Sequence, residues 1–225
     1  MMDQIGLQAE DTLFILGDVI DRHPYGLDIL EEIMAAPNMR MILGNHEYML
    51  LNVMCGGHTP WPRQEFIQSV YLWHVNGGDI TQDALMERPK EQQRKICDYL
   101  LSLPVFLDIN VDGTAYKLVH AVPPEFYPKY GSWSYSSETE YSVWDRHFVF
   151  ERLPDTYTMI FGHTPTRHFQ AGSPLSIWHC PGPRAIGIDC GSGFPEWDED
   201  DEPLGGRLAC LRLEDMKEFY SEEAE

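Results

Sequence analysis

Five short apolar runs in this chain stop at the same kind of residue, and that repetition constrains the fold more than any other feature. "TLFILGD" (12–18), "MRMILGN" (39–45), "YKLVHAV" (116–122), "YTMIFGHT" (157–164) and "AIGIDCG" (185–191) are rich in β-branched and apolar residues, and each carries a Gly, His, Asn or Asp at or near its end. Near-continuous apolar runs of this length suit strands covered on both faces. Between the first two, "GLDILEEIMAAPN" repeats Leu27, Leu30, Ile33 and Met34 at helical spacing before Pro37 and Asn38 close it, so the three segments predict a βαβ unit. In "VFLDINVDGTAYKLVH" the pair Asp112-Gly113 between two strand-like runs predicts a hairpin. "RLACLRL" predicts a late strand, and "EQQRKICDYLLSL" a helix. The rest of the stretch 52–104 reads as irregular Gly- and Pro-rich sequence, a helical or irregular cap. The 225 residues suffice for one domain of mixed α/β class, and in such folds ligands sit at the carboxyl ends of the strands.

The chemistry-bearing residues stand at those ends: Asp18, Asn45 with His46, His120, and His163 within "GHTPT". A carboxylate, an amide oxygen and two imidazoles make a mixed oxygen and nitrogen shell that suits manganese, iron or zinc better than calcium. A cation would also offset the charge of Asp18 at a strand mouth. The formal net charge of −20, with acid gathered in "EWDEDDE" and "EDMKEFYSEEAE", repels polyanions, which argues against a nucleic-acid partner and against an anionic membrane surface. No apolar run approaches the roughly 18 residues that span a bilayer, and the first residues have neither a basic nor an apolar leader region, so the expected setting is the cytoplasm. Five cysteines without CxxC spacing argue against a disulfide framework or a zinc knuckle and are expected to be reduced and structural.

These residues resemble the motifs of the calcineurin-like metallophosphoesterases of the phosphoprotein phosphatase type. "GDVIDR" matches the family's GDxxDR, "GNHE" is unchanged, "LVHAV" and "GHTPT" match its HAG-like and GHTP-like elements, and "WHVNGGDIT" (73–81) matches W-x-x-N-G-G-x-x-T. The resemblance runs from about residue 4 to residue 191 and implies a β-sandwich of mixed sheets flanked by helices. It implies that Asp18, Asn45, His120 and His163 bind metal, that His46 is a general acid oriented by Asp21, and that Arg22 grips phosphate. Arg146 in "VWDRH" is the candidate for a second phosphate arginine. The chemistry asks for these types: metal-activated water attacks phosphorus, charge on three oxygens is neutralised, and a leaving alkoxide takes a proton. His23, His58, His74, His147, His168 and His179 match no ligand position.

The family's D-x-H motif, roughly two dozen residues ahead of GDxxDR, has no counterpart here, so the expectation is a sandwich missing its first strand, with one metal site complete and the other reduced to the bridging Asp18. The expected activity is hydrolysis of phosphomonoesters, with phosphoserine or phosphothreonine of proteins as the leading substrate and manganese as the leading cation. Hydrolysis of diadenosine polyphosphates and a metal-depleted, non-catalytic phosphate-binding relative are the alternatives, and the oligomeric state is not legible.

Overall fold

After a single helical turn, α1 (Met2–Ile5), the first apolar run forms strand β1 (Leu13–Ile15), joined through helix α2 (Gly26–Ala35) to strand β2 (Met39–Met41). The two strands pair in parallel, Leu13 beside Met39 and Ile15 beside Met41, which makes the expected βαβ unit. Helix α2 buries Leu27, Leu30 and Ile33, each worth about 1.5–3 kcal/mol removed from water. It ends at the extended Ala36, the conformation that the following Pro37 favours. The computed structural model describes residues 1–56, 63–147, 150–172, 175–182, 184–193 and 206–221. His58 and the acidic run 196–202 lie outside them.

Beyond β2 come four helices: α3 (Asn45–Met54), α4 (Arg63–Val75), α5 (Gly78–Glu87) and α6 (Lys90–Ser102). Helix α6 is the one expected from sequence, whereas α4 and α5 replace expected irregular chain. The Gly-Gly pair that reads as a breaker is a break between two helices: Gly77 takes φ 89° and Gly78 starts α5. Helix α3 buries Met49, Leu50 and Leu51, and α6 buries Ile96 and Leu100. Cys55 and Cys97 form a disulfide with Cα atoms 5.4 Å apart. This corrects the expectation of reduced cysteines, because packing of α3 with α6 brings together two residues that no sequence spacing relates. These elements make up one compact unit, Thr12–Val105.

The other unit comprises Met1–Asp11 and Phe106–Glu225. Strands β3 (Phe106–Val111) and β4 (Thr114–Val119) form the expected hairpin, with Asp112 and Gly113 both at positive φ, as a tight two-residue turn demands. Helix α7 (Glu138–Trp144) follows, its first turn capped by the Ser137 hydroxyl, which accepts from the Glu140 amide at 3.0 Å. Then come β5 (Thr158–Phe161), β6 (Trp178–His179) and β7 (Ala185–Gly187), and a hairpin of β8 (Ala209–Arg212) and β9 (Lys217–Tyr220). The five-stranded sheet runs β3-β4-β5-β7-β6, with β4, β5 and β7 parallel and both edges antiparallel. Its core gathers Val119, Met159, Phe161, Trp178 and Ala185, with Phe150 and Phe169 packed on it. His120 therefore follows directly on β4, and His163 stands two residues past β5. Among the described residues no helix is long and apolar enough to cross a membrane.

Candidate functional site

In the unit Thr12–Val105 five of the expected site residues lie on the turns that leave β1 and β2. Asp18, Asp21 and Arg22 are at φ 57°, 73° and 62°, left-handed conformations that cost a non-glycine residue about 1–3 kcal/mol and persist only where the surroundings over-determine them. Glu47, fully buried in the first turn of α3, supplies much of that determination. Its Oε2 accepts from the Asp18 amide at 2.8 Å and the Gly44 amide at 3.1 Å, and its Oε1 accepts from the Val19 amide at 2.8 Å. One carboxylate thus ties the turn bearing Asp18 to the turn bearing Asn45. Burial, and then the charge of Asp18, push the Glu47 pKa upward. The Asp18 carboxylate in turn accepts from the His46 amide at 3.1 Å, which sets it against the N-terminus of α3, where negative charge is favoured.

His46 is 2% exposed and sits between two charged partners. Its Nδ1–H donates to Asp21 Oδ2 at 2.6 Å, and its Nε2 accepts from Arg22 Nη2 at 2.9 Å. Burial works to lower the His46 pKa, but Asp18 and Asp21 outweigh it, and the pKa is raised. Asp21 is itself braced by the W-x-x-N-G-G-x-x-T segment. Trp73 Nε1 donates to both Asp21 oxygens, at 3.2 and 3.0 Å, and the Thr81 hydroxyl accepts from the Asp21 amide at 2.9 Å. The two glycines make this approach possible: a Cβ on Gly77 would lie 2.8 Å from Arg22 Cγ, and one on Gly78 would lie 2.2 Å from the Trp73 ring. Arg22 donates its own amide to the Gly77 carbonyl at 3.0 Å.

In the second unit the structure brings together His120, His163 and Arg146. His120 and His163 are buried, with ring centroids 5.0 Å apart. Strand pairing explains the proximity, since the Gly162 amide donates to the His120 carbonyl at 2.9 Å. His163 is at φ 63°, and its Nε2–H donates to the Trp144 carbonyl at 3.2 Å. That bond fixes the tautomer and places the lone pair on Nδ1, the arrangement of a histidine readied for a cation. Arg146 Nη1 donates to the His163 carbonyl and to the Thr164 hydroxyl, both at 3.1 Å. Glu47, Trp73, Thr81 and Trp144 carry no role in the sequence reading. The first three lie inside family motifs quoted there; Trp144 lies in the quoted "VWDRH" but acts through its carbonyl, which no side-chain pattern encodes.

Comparison with known proteins shows the family. The family model for calcineurin-like phosphoesterases matches residues 1–167, and the chain belongs to that family, a class of phosphoester hydrolases. Serine/threonine-protein phosphatase 2 of Escherichia coli K12 is 33% identical over 117 residues, which are 51% of this chain and 46% of that protein. The symmetrical bis(5'-nucleosyl)-tetraphosphatase of Yersinia pestis (strain Pestoides F) is 44% identical over 48 residues, 21% of this chain and 17% of that protein. The matched stretches thus span less than half the length of these curated relatives. A metallophosphoesterase structure from Sphaerobacter thermophilus superposes over 99% of this chain and 82% of its own, with a TM-score of 0.51 and 17% identity, which supports the fold.

Proposed function

We propose that the chain hydrolyses phosphomonoesters with a divalent cation, phosphoserine or phosphothreonine of a protein being the substrate class. In this reading Asp18, Asn45, His120 and His163 are the protein's ligands for the cation, and manganese is the leading choice ahead of iron and zinc. The donor chemistry fits, with one carboxylate, one amide oxygen and two imidazoles, one of them held in a ligating tautomer by the Trp144 carbonyl. The bound cation supplies an activated nucleophile and polarises the phosphoryl group.

The array Asp21, His46 and Arg22 carries the reading. Asp21 holds the His46 ring and stabilises its cationic form, so that Nε2, once free of Arg22, takes a proton from solvent and gives it to the leaving alkoxide. Arg22, which donates to that same nitrogen in the absence of substrate, turns to the phosphoryl oxygens when phosphate arrives and exposes Nε2 to the leaving group. Arg146 is the second phosphate arginine. The test compares leaving groups. His46→Asn is expected to lower kcat/KM about 100-fold or more on a serine phosphate and far less on nitrophenyl phosphate, whose leaving group hardly needs the proton. Equal losses on both would remove His46 from the acid's role. The tetraphosphatase relatives favour diadenosine polyphosphates as a second substrate class, so diadenosine tetraphosphate is assayed beside the phosphopeptide. Turnover of the nucleotide alone would replace the protein-phosphatase reading, and turnover of neither would leave a phosphate-binding relative.

A further inference from the structure

The segment ahead of Arg146 holds a buried carboxylate that the proposed chemistry does not use. Asp145 closes the C-terminal end of α7, and its amide donates to the Tyr141 carbonyl at 3.0 Å. Its side chain is 3% exposed. Oδ1 accepts from the Tyr135 hydroxyl at 3.2 Å and from His147 Nδ1 at 2.9 Å, and Oδ2 accepts from the His147 amide at 3.0 Å. Ending a helix requires no carboxylate, and burying one is costly unless donors converge on it. Here they come from both sides of Arg146: from the chain ten residues before Asp145 and from the residue just after Arg146.

The two neighbours of Asp145 act on the same histidine. Trp144 accepts from the His163 ring, and its indole packs edge-on to that ring at 6.0 Å, while Arg146 donates to the His163 carbonyl and the Thr164 hydroxyl. Trp144 and Arg146 therefore bracket His163 from its ring and its main chain, and the residue between them is a buried carboxylate pinned by three part-buried hydrogen bonds. We propose that Asp145 is a positioning residue for phosphate: by fixing the peptide segment 144–146 it sets the height and angle at which Arg146 presents its guanidinium to a phosphoryl group. Both Asp145 oxygens are engaged by this chain, so its action on the ligand runs through Arg146. Burial, and then the charge of Asp145, push the Tyr135 hydroxyl up to about 12, which keeps it a donor at any physiological pH.

The inference rests on the phosphate role of Arg146 in the reading above, and the test separates the two. Calorimetric titration of inorganic phosphate into the manganese-supplied chain is carried out on the wild type, Asp145→Asn, Arg146→Ala and the double variant, with thermal melting of each. Asn keeps an accepting oxygen for Tyr135 and His147 Nδ1 but turns an NH2 toward the His147 amide. Asp145→Asn is expected to weaken phosphate binding about tenfold, the usual loss when a supporting hydrogen-bond partner is removed. In the Arg146→Ala background the same change should alter the dissociation constant less than about twofold, since the two act as one unit. On nitrophenyl phosphate the loss should fall in KM, with kcat nearly unchanged. Tyr135→Phe, which keeps the carboxylate, should weaken phosphate by a smaller factor and also lose its effect without Arg146; it carries the test if Asp145→Asn fails to fold. An unchanged phosphate affinity in Asp145→Asn, an equal loss with and without Arg146, or no phosphate binding by the wild type overturns the proposal. Phosphate binding that follows the expected pattern without hydrolysis of any phosphoester supports it and overturns only the enzymatic reading.

Discussion

Glu47 offers the sharpest test of how the strained turn at Asp18 is held. Removing its side chain in Glu47→Ala strands three backbone donors, the amides of Asp18, Val19 and Gly44. The Gly44 bond is buried, which sets its loss at about 1–3 kcal/mol, and the other two are part-buried and reachable by water, at about 0.5–1.5 kcal/mol each. The total is about 2–6 kcal/mol, against a whole stability of about 5–15 kcal/mol for an ordinary domain. Glu47→Gln behaves differently. Its amide oxygen can stay with Asp18 and Gly44 while its NH2 opposes the Val19 amide, a loss of about 0.5–1.5 kcal/mol. Against that loss, the Gln removes a buried charge that burial and Asp18 both disfavour, so the net change should lie within about 1 kcal/mol. Urea unfolding of the metal-free chain measures both. A Gln variant as unstable as the Ala variant would show that the charge, and not the count of accepted bonds, holds the turn; a neutral Ala variant would show that the turn needs no such clasp.

Trp73→Phe keeps most of the buried ring but deletes the donor to both Asp21 oxygens, and is expected to lower kcat/KM on a serine phosphate about tenfold while sparing nitrophenyl phosphate, a split that steady-state kinetics resolves. The Tyr135 hydroxyl titrates near 12 when folded against 10 when unfolded, so its contribution to stability is complete below pH 10 and is lost as pH rises through about 12. Urea unfolding between pH 9 and 12 should show that loss in the wild type and a flatter profile in Tyr135→Phe. The Cys55–Cys97 bond closes a loop of 42 residues, which corresponds to about 4 kcal/mol of restricted unfolded chain. Reduction should destabilise the wild type by up to that amount and leave Cys55→Ser unaffected, with alkylation of free thiols reporting the bond directly.

The ligand-type residues were legible because each closes an apolar run whose length and β-branching already define a strand. Asp18, Asn45, His120 and His163 needed no tertiary knowledge to be placed at strand ends, and the hairpin at Asp112-Gly113 followed from turn chemistry alone. What was not legible is how the turns are held. Helix α4 has no sequence signature because its apolar residues do not keep to one face: Trp73 is fully buried while Ile67, Tyr71 and Val75 are exposed. Helix α5 was hidden by the glycines that let Trp73 and Arg22 approach. The Cys55–Cys97 bond was invisible for a related reason, since it depends on the packing of helices that no cysteine spacing encodes.

The strain itself gives this division a physical sense. Among the described residues six non-glycine residues have positive φ, and Asp18, Asp21, Arg22 and His163 are four of them. A strained backbone is held by bonds that over-determine it, and these residues have different supports: Glu47 for Asp18, Trp73 and Thr81 for Asp21, the Gly77 carbonyl for Arg22, and the Trp144–Arg146 bracket for His163. A supporting side chain is selected for what it reaches in space, so its position in sequence follows no period. The ligand-type residues are thus written at strand ends, where an apolar run stops at a polar residue, while the supports of the turns are written in residues such as Glu47 and Asp145, whose carboxylates are engaged by this chain's own donors.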